Sequence, residues 1–156
     1  MSTSKFNLFL ENARLLSDKL GIVPLLYGSL GLEHLTGDAL GADDIDILVP
    51  RAFINERWQE FKAVLEIQGY VLTDAHEHTF VRDGAAYSYA DIEDLESFAG
   101  IRAEDIETRE VNGVRFLFLS LEQYLAVYRR SSMDGYRVNV RQKKDTDKIR
   151  LIESKL

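Results

Sequence analysis

Leu25-Leu26-Tyr27-Gly28-Ser29 and, after a loop, Asp44-Ile45-Asp46-Ile47-Leu48-Val49 decide the fold. The first run ends a short buried strand begun at Ile22, whose first half Pro24 weakens. The second reads as a strand stopped by Pro50. Side chains alternate across a strand, so Asp44 and Asp46 share one face while Ile45 and Ile47 share the other. Two carboxylates on one face of an apolar strand repel each other. Near a core they need a compensating cation. Either both acids stand in solvent at a strand end, or they hold a hard cation such as Mg²⁺, which leaves positions for water and phosphate. Gly28 directly after a buried strand lets the backbone come close to a ligand. A helix starting there would offer free N–H groups and a favourable dipole to an anion, with the Ser29 hydroxyl as a further donor. The plainer reading is a turn with a helix cap.

Outward from this pair, residues 4–20 carry Phe6, Phe9, Leu10, Ala13, Leu16 and Leu20 at helical spacing, and Gly21 ends that helix. Residues 30–36 form a short helix closed by Gly37, and 38–43 are loop. After Pro50 a helix is predicted with Asn55 as its N-cap, Trp58, Phe61 and Leu65 on one face, and Gly69 as its stop. Strands are predicted at 70–73, 78–82 and 86–92, with Asp83-Gly84 turning the last two. Asn112-Gly113 joins strands at 106–111 and 114–118. Ser120-Leu121-Glu122-Gln123 has capping-box form and opens a helix with Leu121, Tyr124, Leu125 and Tyr128 on its apolar face. A last helix covers 143–155. This order predicts one α+β domain over residues 1–156, a small mixed sheet flanked by helices with helices at the C-terminal end.

Composition narrows the chemistry. The 156 residues are 46% hydrophobic and 29% charged, an ordinary globular balance. Without cysteine, the chain has no disulfide, thiolate nucleophile or Cys-ligated metal. No apolar run approaches a membrane span or a signal peptide, so the expected compartment is the cytoplasm. Residues 115–156 hold 10 Lys and Arg against 5 Asp and Glu, whereas residues 1–114 hold 9 against 21. The acidic body argues against nucleic acid as a partner. The basic C-terminal segment is either a solvated helix face or a seat for a phosphorylated small molecule. No Lys or Arg lies between Lys19 and Arg51, so a cation facing the Gly28-Ser29 turn has to come from elsewhere. There is no G-x-x-x-x-G-K-[ST] or G-x-G-x-x-G loop, and Tyr27 excludes a G-x-S-x-G elbow at Ser29. His76 and His78 could share a strand face but lack a third metal ligand nearby, and His34 reads as helix surface or a satisfied core group. Tyr87 and Tyr89 read as packing or as a stacking platform.

A phosphate seat beside a two-carboxylate seat is the layout that nucleotidyl transfer requires. Together with Asp91 in Tyr87-Ser88-Tyr89-Ala90-Asp91-Ile92, Gly28-Ser29 and Asp44-x-Asp46 resemble the nucleotidyltransferase superfold shared with DNA polymerase beta. The Leu35-Thr36-Gly37 tripeptide, Leu119-Ser120-Leu121-Glu122 and Lys144-Asp145 are similar to pieces of the small lincosamide nucleotidyltransferases. The resemblance implies a transferase moving a nucleoside monophosphate from a nucleoside triphosphate, such as ATP, to a hydroxyl of a small molecule or protein. It further implies that Asp44, Asp46 and Asp91 hold two Mg²⁺ ions, with Asp91 also acting as base, and that Gly28, Ser29 and Lys144 bind the nucleotide. A homodimer or a protein partner would complete the cleft. The alternative is a non-catalytic module of the same fold acting through a protein partner, as in antitoxins.

Overall fold

The computed structural model describes residues 4–132 and 140–156, with the side chains of 140–145 left aside. Ser4 starts α1 (Lys5–Leu20) by accepting from the Asn7 N–H at 3.2 Å, and Gly21, at φ +65°, ends it. β1 is short, Leu25–Tyr27, and runs directly into α2 (Gly28–Thr36). Helical structure therefore begins at Gly28, two residues earlier than the sequence predicts. β2 follows at Ile45–Val49. Asn55 caps the C-terminal end of the short α3 (Arg51–Ile54), and Arg57 precedes α4 (Trp58–Ile67), so the predicted N-cap is corrected.

The next three strands are β3 (Val71–Asp74), β4 (Thr79–Arg82) and β5 (Ala85–Asp91). Asp83 and Gly84 both have positive φ, 50° and 80°, as their two-residue hairpin demands. A helix that the sequence reading leaves out, α5 (Asp94–Ala99), comes next. Asn112 and Gly113, at φ 52° and 78°, join β6 (Glu107–Val111) to β7 (Val114–Phe118). The capping box of α6 (Leu121–Ser132) closes in both directions: Ser120 N–H donates to Gln123 Oε1 at 2.9 Å and Gln123 N–H to Ser120 Oγ at 3.2 Å. The last helix, α7, spans Val140–Lys155.

The seven strands form one sheet in the order β3-β4-β5-β2-β1-β7-β6. β2 pairs in parallel with β5, β1 pairs in parallel with β7, and the remaining pairs are antiparallel. This is the expected mixed sheet. One face carries Leu26, Ile45, Ile47, Val49, Tyr87 and Tyr89 in a core shared with α1 and α4. The other face carries Leu25 and Leu48 beneath Leu95 of α5 and Tyr124, Leu125 and Tyr128 of α6. Each large apolar side chain buried in this way contributes roughly 1.5–3 kcal/mol, which holds helices on both faces. No helix among the described residues is long and apolar enough to cross a membrane.

Candidate active site

Strand register fixes which side chains can meet. Asp46 lies opposite Tyr27 on β1 and Ser88 on β5, so Tyr27, Asp46 and Ser88 form a row on one face. Asp44 stands just before β2 and is exposed, while Asp46 is half-buried. Both line a cleft of about 580 Å³ together with Ser29, Asp43, Asp147 and Lys148. Gly28 adjoins it: at φ +66°, a Cβ built on Gly28 would collide with Asp46 Oδ2. Glycine is needed there both for its backbone angle and because the carboxylate occupies the space a side chain would take.

Three side chains hold these parts in place. The Tyr124 hydroxyl donates to the Gly28 carbonyl at 3.3 Å. Burial, reinforced by Tyr128, Tyr27 and Asp46, pushes the Tyr124 phenol well above its ordinary pKa, so it stays a donor. Glu33 Oε1 accepts from the Leu40 and Ala42 N–H groups at 2.7 and 3.1 Å, tying the loop before Asp44 back to α2. Lys155 of α7 reaches Asp38 of the same loop at 3.4 Å.

The structure brings Gly28, Ser29, Asp44 and Asp46 to one cleft, but Asp91 lies elsewhere. Asp91, the last residue of β5, pairs in register with Val49, three residues along β2 from Asp46 and of opposite parity to it. Its carboxylate is ion-paired with Arg51 and accepts from the Glu93 N–H at 2.8 Å. At the end of β5 it borders a recess with Tyr27, Leu48 and Phe98, outside the cleft that Asp44 and Asp46 line. The expectation that Asp91 joins Asp44 and Asp46 around metal is therefore corrected. On β5, Ala86, Ser88 and Ala90 share the face of Asp46, and none is an acid. Among the described residues, no group of three or more His, Asp or Glu is arranged to hold a metal ion. Asp44 and Asp46 bring two carboxylates to one cleft, the number Mg²⁺ commonly takes from a protein. A second ion would lack the carboxylate expected from Asp91.

The Lys144 side chain lies outside the described residues. Lys148, one turn further along α7, lines the cleft and sits 5.0 Å from the Tyr128 ring centre. The sequence showed a basic C-terminal segment, but only tertiary packing shows which lysine reaches the cleft. Tyr124 and Glu33 were also missed, because their roles depend on contacts with distant backbone. Tyr87 and Tyr89 are packing residues, each 1% exposed, with rings against Tyr70 and Phe61 at 5.1 and 5.0 Å. His34 stacks on Phe6 at 3.9 Å.

The chain is 39% identical over 147 residues to the uncharacterized protein YnaI of Bacillus subtilis (strain 168), covering 94% of both chains. It belongs to the YnaI family. No protein-family model matches the chain. Its fold is that of nucleotidyltransferases. The solution structure of the antibiotic-resistance factor ANT(2'')-Ia superposes with a TM-score of 0.57 at 16% identity, over 98% of this chain and 85% of that one. The crystal structure of ANT(2")-Ia in complex with adenylyl-2"-tobramycin gives 0.59 at 13% identity, over 97% and 90%. An antigenic nucleotidyltransferase-like protein from Paracoccidioides brasiliensis gives 0.62 at 16% identity, over 94% and 73%. These identities carry the fold to the YnaI-family chain and leave its chemistry to its own residues.

Proposed function

We propose that the protein transfers a nucleoside monophosphate from a nucleoside triphosphate to a hydroxyl of a small molecule. The observation that carries this reading is the meeting of the Gly28-Ser29 turn, at the start of α2, with Asp44 and Asp46 in one cleft. The α2 N–H groups and the Ser29 hydroxyl would take phosphate oxygens, and Lys148 would supply the positive charge absent between Lys19 and Arg51. Asp44 and Asp46 would hold Mg²⁺, which when bound neutralises charge on the triphosphate. Tyr124 and Glu33 keep the turn and the acid-bearing loop in register. The ANT(2")-Ia complex holds adenylyl-2"-tobramycin, and the lincosamide resemblance points to another class of small molecule. For this chain the acceptor is proposed only as a small alcohol.

The test is label transfer from α-phosphate-labelled ATP to tobramycin, a lincosamide and simpler alcohols, with pyrophosphate release measured in parallel. A labelled product that requires Mg²⁺ and is lost in Asp46→Asn supports the reading. The second reading, a partner-binding module, is favoured by one observation: no acid shares the face of Asp46 on β5. Absence of both pyrophosphate and labelled product, in a protein that co-purifies with a stoichiometric partner, would select it.

A further inference from the structure

Asp46 lines two cavities. Besides the cleft with Ser29, it borders a second space of about 320 Å³ with Tyr27, Ser88, Ala90, His76 and Glu77. Tyr27, Leu48 and Ala90 also line the adjoining recess, where Leu95 and Phe98 add apolar surface beside Asp91 and Asp94. The 75–78 turn that carries His76 is fixed at both ends. Asp74 Oδ1 accepts from the His76 and Glu77 N–H groups at 3.0 and 3.1 Å. His78 takes a positive φ of 53° and sets its ring edge-on to Trp58 at 4.8 Å. His76 Nε2 stands 3.9 Å from Glu77 Oε1.

We propose that this second cavity seats the acceptor alcohol and that His76 is the base removing its proton, with Glu77 stabilising the imidazolium that results. The proposal rests on the nucleotidyl-transfer reading and answers a problem the register raises. A hydroxyl attacking phosphorus must lose its proton, Asp91 is ion-paired with Arg51 and lies outside the cleft of Asp44 and Asp46, and β5 offers only Ser88 and Ala90 beside Asp46. In the step, the acceptor O–H proton passes to an imidazole nitrogen and the oxygen bonds to the α-phosphorus. The bond to the β-phosphate then breaks, and pyrophosphate leaves with the electron pair. Histidine suits this task because its ordinary pKa lies near neutrality. The adjoining apolar recess suits an alcohol with an apolar or ring portion. The titratable groups around His76 are Asp74, Glu77 and His78 of its own segment, with Asp46 and Tyr27 across the cavity.

His76 and Glu77 are 92% and 69% exposed, and a pair so exposed adds little to stability, so His76→Gln folds. The experiment measures AMP released from MgATP with water as acceptor, alongside MgATP affinity and melting temperature. His76→Gln is expected to lower AMP release about 10²–10⁴-fold. Affinity and melting temperature stay unchanged. Ser88→Asp puts a carboxylate on the face of Asp46 and is expected to restore turnover to His76→Gln. Unchanged turnover in His76→Gln, together with loss in Asp46→Asn, overturns this proposal alone. No AMP with water, together with no labelled product and no pyrophosphate with the alcohols, overturns the transferase reading and this proposal with it.

Discussion

Gly28→Ala probes the link between the turn and the acid because the chain contains its own control. Gly21 and Gly28 have nearly the same backbone angle, φ +65° and +66°. A Cβ on Gly21 meets nothing within 4 Å, whereas one on Gly28 collides with Asp46 Oδ2 and comes within 3.2 Å of Asp46 Cβ and Cγ. Alanine in the left-handed region costs about 1–2 kcal/mol, and this is the whole expected effect of Gly21→Ala. Gly28→Ala adds the collision, a further ~1–3 kcal/mol by analogy with overpacked cores. Rotating the Asp46 carboxylate away does not relieve it, since Asp46 Cβ is fixed to β2. At roughly 2–4 °C per kcal/mol for a chain of this size, thermal melts separate the two variants. Gly28→Ala is also expected to lose Mg²⁺-dependent ATP binding, and Gly21→Ala to keep it. Equal melting temperatures for the two variants, with ATP binding intact in both, would refute the packing of Gly28 against Asp46.

Asp91→Asn breaks the ion pair with Arg51 and should lower the melting temperature while leaving Mg²⁺-dependent ATP affinity unchanged; a loss matching that of Asp46→Asn would return Asp91 to the site. Glu33→Ala leaves the Leu40 and Ala42 N–H groups without their acceptor, costing about 1–3 kcal/mol in a melt and weakening MgATP binding, and Glu33→Gln should recover most of both. Burial, with Arg109 nearby, lowers the His34 pKa, and burial likewise lowers that of His78. The unfolded chain therefore takes up these protons first as pH falls. Their contribution to stability is complete above about pH 6.5 and is lost as pH falls below it towards the folded-state values. Melting temperatures across this window should fall less steeply in His34→Gln/His78→Gln than in the wild type.

Local signals in the sequence were strong where backbone chemistry is local. Asp83-Gly84, Asn112-Gly113 and the Ser120–Gln123 capping box each specify a turn or cap within four residues, and each forms as read. Alternation along β2 placed Asp44 and Asp46 together for the same reason. The same rule, carried along β5, would have corrected Asp91: it shares parity with the packed Tyr87 and Tyr89, whereas Ser88 shares the face of Asp46. The short α5 was missed because Asp94–Ala99 is too brief to show a helical period, and Asn55 was misread because its cap serves the preceding helix. Lys148, Tyr124 and the His76 turn reach the site only through packing between elements distant in sequence.

Calorimetric titration of ATP, with and without Mg²⁺, into the wild type and Asp46→Asn tests the central claim most directly. The account predicts Mg²⁺-dependent binding in the wild type and its loss in Asp46→Asn. The variant should keep or raise its melting temperature, because repulsion with Asp44 is relieved. Wild-type binding indifferent to Mg²⁺, or binding undiminished in Asp46→Asn, would contradict it.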